Sequence, residues 1–256
     1  MKSKILLPLL VLFLFPFFQL SAQDKLPDSE LLLIHEDVIY PYATEKYEKA
    51  VADFIGMLKD SKIERTFRAL QSDYTTYIYL TPVKDYDGLA KNYGMNDDMV
   101  QRVGKEKFSK VMSGFDGCYA SHKNYVLNLR NDLSYKAKYG MDPNEGLNFR
   151  HLDYLYVIPG KEQEMISLLK EYKSLYEKKN IEQGYRIYMG DLGTDMPMFL
   201  IVQPAKGRVD WATFSDKQDE LLGDEAEVLW NKAMAITQKF EHHSGMMRPD
   251  LYYISK

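Results

Sequence analysis

Cysteine is almost absent from this sequence. The 256 residues contain one, Cys118, so the chain cannot form an intramolecular disulfide. Cys118 lies beside Tyr119 and Ala120 in a segment predicted to be helical. A lone cysteine in such a setting is typical of a buried structural thiol, and we predict that role rather than a catalytic nucleophile.

The motifs that mark common catalytic and nucleotide sites are also missing. There is no nucleophile elbow and no P-loop, and the glycines at 184, 190 and 193 do not precede a predicted helix as a dinucleotide fingerprint requires. Among the five histidines, the adjacent His242 and His243 would point apart on either a strand or a helix. Without an HExxH motif or a second cysteine, no metal site is predicted.

An excess of positive charge is lacking as well. The chain has 33 basic and 37 acidic residues, for a formal net charge of −4. Nucleic-acid binding depends on dense patches of lysine and arginine. We therefore expect no nucleic-acid partner.

Residues 1–22 have the pattern of an export signal. Lys2 and Lys4 precede an apolar run over 5–18, and Leu20-Ser21-Ala22 offers small residues for cleavage. Prolines interrupt the run, whereas a membrane anchor needs about 20 unbroken apolar residues. The expectation is a cleaved signal peptide and a soluble exported protein, periplasmic or secreted, with no stable membrane anchor.

The chain contains an internal repeat. An R-x-D-L-x-Y pattern, Arg130 to Tyr135, returns 118 positions later as Arg248 to Tyr253, and Ile63 matches Ile181 at the same offset. Such self-similarity indicates a duplicated unit. The prediction is a first repeat over 23–135, a polar linker over 136–148 and a second repeat over 149–256.

The repeated motif itself is predicted to be structural. Asp132 and Asp250 would accept backbone N–H bonds in turns, and Arg130 and Arg248 would bind carbonyls or those carboxylates. Leu133 and Leu251 would pack inward, while Tyr135 and Tyr253 would continue a strand.

Each half shows the order strand, helix, strand, strand, helix, strand. In the first half the predicted strands cover 31–40, 65–71 and 75–82, with a last one that includes or follows 130–135; helices run from Thr44 to about Lys62 and from a cap at Asn96 toward Ala120. In the second half the strands cover 152–158, 184–189 and 198–203. Pro82 aligns with Pro204 at an offset of 122, because the hairpin over 191–197 is four residues longer.

This βαββαβ order is that of a ferredoxin-like unit. Its helices cover one face of the sheet, and the other face must be buried against another element. The predicted fold class is α+β, with two tandem ferredoxin-like units packed sheet to sheet as an internal pseudo-dimeric α/β barrel. The element order and the repeat resemble the dimeric α/β-barrel superfamily, in particular its tandem-duplicated, NIPSNAP-like exported members. The resemblance implies that haem or monooxygenase chemistry is an alternative function, since some members have it. No cofactor is predicted from the residues themselves.

The predicted first strand carries the candidate ligand-binding residues. His35-Glu36-Asp37 interrupts an apolar strand, and at the repeat offset the second half has Asp153-Tyr154-Leu155. Alternation places His35 and Asp37 on one face. On a face between the sheets, together with Tyr79, Asp153 and Tyr154, they could act as an acid/base couple or contact a ligand; on an exposed edge they would only face water.

Three functions remain open at this stage. The chain has 20 tyrosines, 12 phenylalanines and 2 tryptophans, which suit either core packing or an aromatic-lined pocket. The first hypothesis is a binding protein with a small apolar or aromatic ligand between the two sheets. The alternatives are a haem-handling or cofactor-poor monooxygenase-like enzyme and a structural or interaction protein with a solid core. Because the duplication removes the usual need to dimerise, a monomer is favoured.

Overall fold

The structure, a computed structural model, describes residues 28–135 and 146–255. Its strands are β1 (Ser29–Ile39), β2 (Thr66–Ser72), β3 (Thr76–Val83), β4 (Tyr119–Arg130), β5 (Phe149–Val157), β6 (Arg186–Gly190), β7 (Met198–Ala205), β8 (Thr237–Met247) and β9 (Tyr253–Ile254). Its α-helices are α1 (Thr44–Asp60), α2 (Tyr86–Val103), α3 (Lys105–Met112), α4 (Glu162–Lys179), α5 (Arg208–Leu222) and α6 (Asp224–Ala235). The predicted export signal and most of the predicted linker lie outside the described residues.

The strands form a closed antiparallel barrel. Eight of them are hydrogen-bonded in the order β3-β1-β4-β6-β7-β5-β8-β2, and pairing between β2 and β3 closes the ring, while the short β9 pairs with the start of β2. The molecule is therefore a mixed α+β fold built on an eight-stranded barrel. No helix in the described part of the chain combines the length and the apolar character needed to cross a membrane.

Both faces of the barrel wall carry buried side chains. Side chains such as Leu32 and Ile34 of β1 point into the barrel, where they meet Leu127, Leu152 and Leu200 from both halves. The alternate residues point outward, beneath α1 in the first half and beneath α4 in the second. Side chains are buried on both faces where helices cover the outer face and the opposite wall covers the inner one, as in β5, whereas residues 120–124 of β4 are exposed.

Three local predictions were wrong. The helix expected to begin at Asn96 begins at Tyr86, because the Asp85 carboxylate accepts the Gly88 N–H at 2.9 Å and caps it. The last strand of the first half ends at Arg130, so the motif that follows is a turn rather than a strand. Cys118 is buried, as predicted, but it lies in the turn before β4 and not in a helix.

The repeated R-x-D-L-x-Y motif ties each half to the other. Both arginines bind the aspartate two residues on, at 2.6–2.7 Å for Arg130 and 2.7–3.2 Å for Arg248. The Tyr135 hydroxyl donates to the Ile181 carbonyl at 2.8 Å, and the Tyr253 hydroxyl donates to the Ile63 carbonyl at 2.7 Å. Since each bond joins the end of one half to the helix end of the other, the contacts are reciprocal.

We expect Tyr135→Phe and Tyr253→Phe to destabilise the protein by similar amounts. Each change leaves a buried backbone carbonyl without its hydroxyl donor, which costs about 1–3 kcal/mol. Urea unfolding followed by circular dichroism measures both, and Tyr42→Phe is the control because Tyr42 is 81% exposed. If only one of the two variants lost unfolding free energy, the two hydrogen bonds would not be equivalent.

Candidate functional site

A cavity of about 270 Å³ lies between the outer face of the first-half sheet and the helices above it. It is lined by Leu33, His35, Asp37, Tyr47, Val51, Phe54, Arg65, Phe67, Tyr79, Thr81, Asn92, Met112, Phe115, Tyr119 and Asn124. This cavity therefore lies outside the space between the two sheets, where the ligand was predicted from the sequence. Among the apolar side chains inside the barrel a void of about 60 Å³ remains, and a more polar space of about 400 Å³ is lined by Tyr125 and Tyr154 together with Glu241 and His243.

A continuous chain of polar contacts runs along the cavity wall. The Tyr47 hydroxyl donates to Asp37 Oδ2 at 2.6 Å, and 2.9 Å separates it from the Tyr79 hydroxyl. His35 Nε2 lies 3.0 Å from Asp37 Oδ1, and His35 Nδ1 lies 2.8 Å from Asn124 Oδ1. Because Tyr47 gives its one proton to Asp37, Tyr79 must donate to Tyr47. These five residues are called the polar chain below.

Strand register brings the polar chain together. In β1, His35 lies directly opposite Tyr79 of β3 on one side and Asn124 of β4 on the other. Cross-strand neighbours of this kind are close enough for side-chain contact. Asp37 follows two residues later on the same face and is 2% exposed. Its buried charge is offset by the Tyr47 hydroxyl and by His35.

The environment sets which groups carry protons. Burial, together with the charge of Asp37, raises the pKa of Tyr47 and of Tyr79 well above the usual value, so both hydroxyls remain protonated. Burial lowers the pKa of His35, but its contacts with Asp37 and Asn124 outweigh this effect and the pKa rises above 6.5. His35 therefore holds a second proton to higher pH than a free histidine does.

Arg65 brings a second positive charge to the cavity. It precedes β2, and its guanidinium carbon lies 5.9 Å from the centroid of the Phe67 ring. Its Nε is buried without an acceptor, and within residues 28–135 and 146–255 no carboxylate forms an ion pair with it. Burial lowers the pKa of Arg65. The positive charge of Arg65 also acts to lower the pKa of His35.

The second half has a different interior at the matching place. Its cavity beneath α4 measures about 90 Å³. At the repeat offsets, Leu155, Met165 and Ile201 stand where the first half has Asp37, Tyr47 and Tyr79. Strand pairing agrees with these offsets. In the second half Asp153 lies opposite Ile201 and His242. In the first half His35, at the matching position, lies opposite Tyr79 and Asn124. The polar chain is thus a feature of the first half.

The structure separates the predicted ligand-binding residues into two groups. His35, Asp37 and Tyr79 line the large cavity together. Asp153 lines the small cavity of the second half, 3.0 Å from His151 Nε2. Tyr154 lines the barrel interior. The neighbouring residues Asp153 and Tyr154 separate because successive strand residues point to opposite faces.

Three residues of the site were not predicted from sequence. Tyr47 fits the apolar stripe of α1, so periodicity marks it as core and conceals its hydroxyl. Asn124 was missed because β4 was placed too late in the chain. No sequence signal separates Arg65 from the many arginines and lysines that face solvent.

The cavity residues do not fit haem in this arrangement. A histidine that holds haem iron needs a free ring nitrogen, whereas both ring nitrogens of His35 face oxygen atoms of Asp37 and Asn124. Elsewhere, over the residues that the structure describes, no cluster of three or more His, Cys, Asp or Glu side chains could hold a metal ion. The haem alternative therefore gains no support from the geometry of this cavity.

Comparison with known proteins identifies the fold. No protein-family model and no curated protein matches the sequence. Among solved structures, an anthrone oxidase-like protein aligns with a TM-score of 0.57 at 14% identity, over 86% of this chain and 91% of that one. A candidate monooxygenase from Lactobacillus acidophilus NCFM aligns with a TM-score of 0.51 at 7% identity, over 86% of this chain and 94% of that one. A candidate monooxygenase from Fusobacterium nucleatum aligns with a TM-score of 0.52 at 10% identity, over 85% of this chain and 92% of that one.

The chain therefore shares the α/β-barrel fold of these three structures, as the sequence resemblance predicted, while the tandem ferredoxin-like arrangement is not confirmed and stays a prediction. Identities of this size show the fold alone. The NIPSNAP-like assignment is not confirmed and stays a prediction.

Proposed function

We propose that the protein binds a small aromatic molecule in the cavity beneath α1 and exchanges a proton with it through the polar chain. The observation that supports this function is that the contacts of the polar chain are continuous. It begins at Tyr79, which is 9% exposed inside the cavity, and reaches His35, whose side chain is 40% exposed at the opening. Such a path joins a buried ligand to solvent.

The size and lining of the cavity define the ligand. Phe54, Phe67 and Phe115 supply aromatic walls, and Val51 adds an aliphatic surface. A cavity of about 150 Å³ binds benzene, so the 270 Å³ found here suits a body of two fused rings. The ligand would also need a weakly acidic C–H or O–H group within reach of the Tyr79 hydroxyl.

The proton transfer proceeds stepwise along named atoms. The ligand proton passes to the Tyr79 oxygen as Tyr79 gives its own proton to Tyr47, and Tyr47 passes its proton to Asp37. The Asp37 carboxyl group then turns about its Cβ–Cγ bond, which brings the protonated oxygen to His35 Nε2, and the proton passes to that nitrogen, which must be unprotonated to accept it. One proton leaves the ligand and one arrives on His35, so the charge is balanced. Solvent then removes the proton from His35. The reverse sequence reprotonates the ligand.

The fold neighbours favour a second candidate, a cofactor-poor monooxygenase. One neighbour is described as anthrone oxidase-like and two as monooxygenases. A ligand deprotonated at a ring CH₂ is electron-rich and could reduce dioxygen. The overall change would turn CH₂ and O₂ into C=O and H₂O, with the ligand as the sole reductant. The proton-removal step is the same in both proposals.

The test uses 2-tetralone, a two-ring ketone with an acidic CH₂ group. Wild-type protein, expressed from residue 23, is incubated with 2-tetralone in D₂O while NMR follows loss of the C1 protons, and an oxygen electrode follows dioxygen. We expect exchange well above the buffer rate. Tyr79→Phe should slow it roughly 10²- to 10⁴-fold, the usual contribution of a positioned acid or base. Dioxygen uptake in parallel would support the monooxygenase candidate.

Binding is measured separately, so that loss of the chemistry is distinguished from loss of the cavity. Calorimetry with 1-naphthol should give similar affinities for wild type and Tyr79→Phe, because the ring remains. The control His243→Gln alters a histidine that is also 40% exposed but lies outside the cavity, 2.5 Å from Asp73 Oδ2. Absence of 1-naphthol binding to wild type would refute the proposal. Equal exchange rates in wild type and Tyr79→Phe would refute the relay.

The architecture supports a further proposal about origin and location. Strand order within the first half is β2-β3-β1-β4 and within the second β6-β7-β5-β8. This equivalence, with the shared motif, supports two diverged ferredoxin-like copies over 23–135 and 149–256. The pattern over 1–22 supports export of a monomer to the periplasm or medium. Intact mass spectrometry of the protein from an exported fraction, with light scattering, tests cleavage after Ala22 and the monomeric state.

A further inference from the structure

We infer that the ligand of the cavity beneath α1 is an anion, an aromatic carboxylate whose charged group binds the Arg65 guanidinium. This inference rests on the proposed function and specifies its ligand class. The cavity contains a positively charged side chain, Arg65, that forms no ion pair with a carboxylate of the described residues.

Arg65 differs from the arginines of the repeated motif. Arg130 and Arg248 each bind an aspartate two residues away. Arg65 has no such partner within the described residues, although its Nε is buried. Asp37 is the acidic residue among those that line the cavity; its Oδ2 accepts from Tyr47, its Oδ1 lies 3.0 Å from His35 Nε2, and it forms no ion pair with Arg65. Because a buried charge needs a partner, the ligand is the natural source of the missing anion.

The second half provides an internal comparison. Gln183 stands 118 positions after Arg65. Its amide donates to the Pro204 carbonyl and accepts from Gln218 at 3.0 Å, so this neutral side chain is fully engaged. The second-half cavity beneath α4 is smaller, about 90 Å³ against about 270 Å³, and Gln183 is not among the residues that line it. The larger cavity and the unpaired positive charge therefore occur together in the first half.

An anion at Arg65 would also affect the proton chemistry. The charge of Arg65 acts to lower the pKa of His35, while Asp37 and Asn124 act to raise it. A carboxylate bound to Arg65 neutralises the lowering influence. His35 then becomes a stronger proton acceptor while the ligand is bound.

The experiment compares two ligands of nearly equal shape, 1-naphthoate and the neutral 1-naphthamide, by calorimetry on wild type, Arg65→Gln and Arg65→Lys. We expect wild type to bind 1-naphthoate roughly 10- to 100-fold more tightly, the usual value of a charge-assisted hydrogen bond. Arg65→Gln introduces the residue of the second half and should abolish the preference without changing the 1-naphthamide affinity. Arg65→Lys should keep part of it, because it retains the charge but loses the bidentate geometry.

The outcomes separate this inference from the proposed function. Equal affinity of wild type for the two ligands would overturn the anionic ligand class, while 1-naphthamide and 1-naphthol binding would leave the aromatic site standing. Equal weakening of both ligands in Arg65→Gln would show that Arg65 shapes the cavity instead, and would also overturn the inference. Binding of neither naphthalene by wild type would overturn the proposed function itself. Unchanged 1-naphthamide binding in Arg65→Gln shows that the variant is folded.

Discussion

Asp37→Asn is expected to slow the exchange of 2-tetralone protons by roughly 10²- to 10⁴-fold. Asparagine has the same shape and can still accept the Tyr47 hydroxyl bond, but an amide cannot take up and pass on a proton. The change therefore interrupts the polar chain at its centre with little alteration of the cavity. Calorimetry with 1-naphthol should show an affinity within a few-fold of wild type.

The same variant should shift the pH dependence of the site. In wild type the pKa of His35 lies above 6.5, and His35 accepts protons only in its neutral form, so exchange should rise with pH through a midpoint above 6.5. Asp37 provides the main influences that raise this pKa, whereas burial and Arg65 lower it. Removing the Asp37 charge should therefore move the His35 midpoint to lower pH, which an NMR titration of the ring protons measures directly.

Asp73→Asn is the matched control for Asp37→Asn. Asp73 also pairs with a histidine, His243, but outside the cavity. It should leave 2-tetralone exchange and the His35 midpoint unchanged. If Asp37→Asn exchanged protons at the wild-type rate, the route through Asp37 would be wrong even with ligand binding intact.

Arg248→Ala is expected to lower the free energy of unfolding by about 2–4 kcal/mol, the largest stability loss predicted for this chain. Its guanidinium donates to Asp250, to Glu48 at 2.6 Å and to Gln71 at 2.7 Å. Glu48 also accepts the Tyr77 hydroxyl at 2.6 Å. One side chain thus joins β2, α1 and the end of the chain, and its loss leaves a half-buried carboxylate without a cation.

The stability of this network should depend on pH in a defined direction. The hydrogen bond from Arg248 holds the pKa of Glu48 below 4.5 and that of Asp250 below 3.8. Carboxylates with lowered pKa values stabilise the fold above their unfolded pKa, and this contribution is lost as pH falls through the folded value. Wild type should therefore lose stability on acidification below about pH 4.5, whereas Arg248→Ala should lose less over the same range.

Arg130→Ala is the internal control for Arg248→Ala. The two side chains are equally exposed, at 20% each. Arg130 binds Asp132 and lies 2.8 Å from Met189 Sδ, so it has one carboxylate partner instead of two. Its removal should cost less, about 1–2 kcal/mol. Urea unfolding of both variants measures the difference, and equal losses would assign no special role to Glu48.

The sequence predicted the order of the elements well because their signals are local. The apolar spacing in α1 and the β-branched runs of β1 and β3 placed these elements within about two residues of their observed bounds. The errors arose where a signal was weak or overridden. Asp85 caps α2 eleven residues before Asn96, the predicted cap, and β4 contains a polar stretch, from Ser121 to Asn124, that does not resemble a buried strand.

The sequence alone determined that His35 and Asp37 share a face, because strand side chains alternate with a period of two. It also predicted a structural role for the repeated motif, whereas the reciprocal hydrogen bonds of Tyr135 and Tyr253 became visible only in the structure. Only the tertiary structure decided that this face lies beneath α1 and not inside the barrel. Closure of the eight strands fixes which face points inward, and it also brings Tyr47, Arg65 and Asn124 from distant segments to one cavity. The residue pattern within one segment cannot show which residues of other segments will pack against it, because those contacts form only when the whole chain folds.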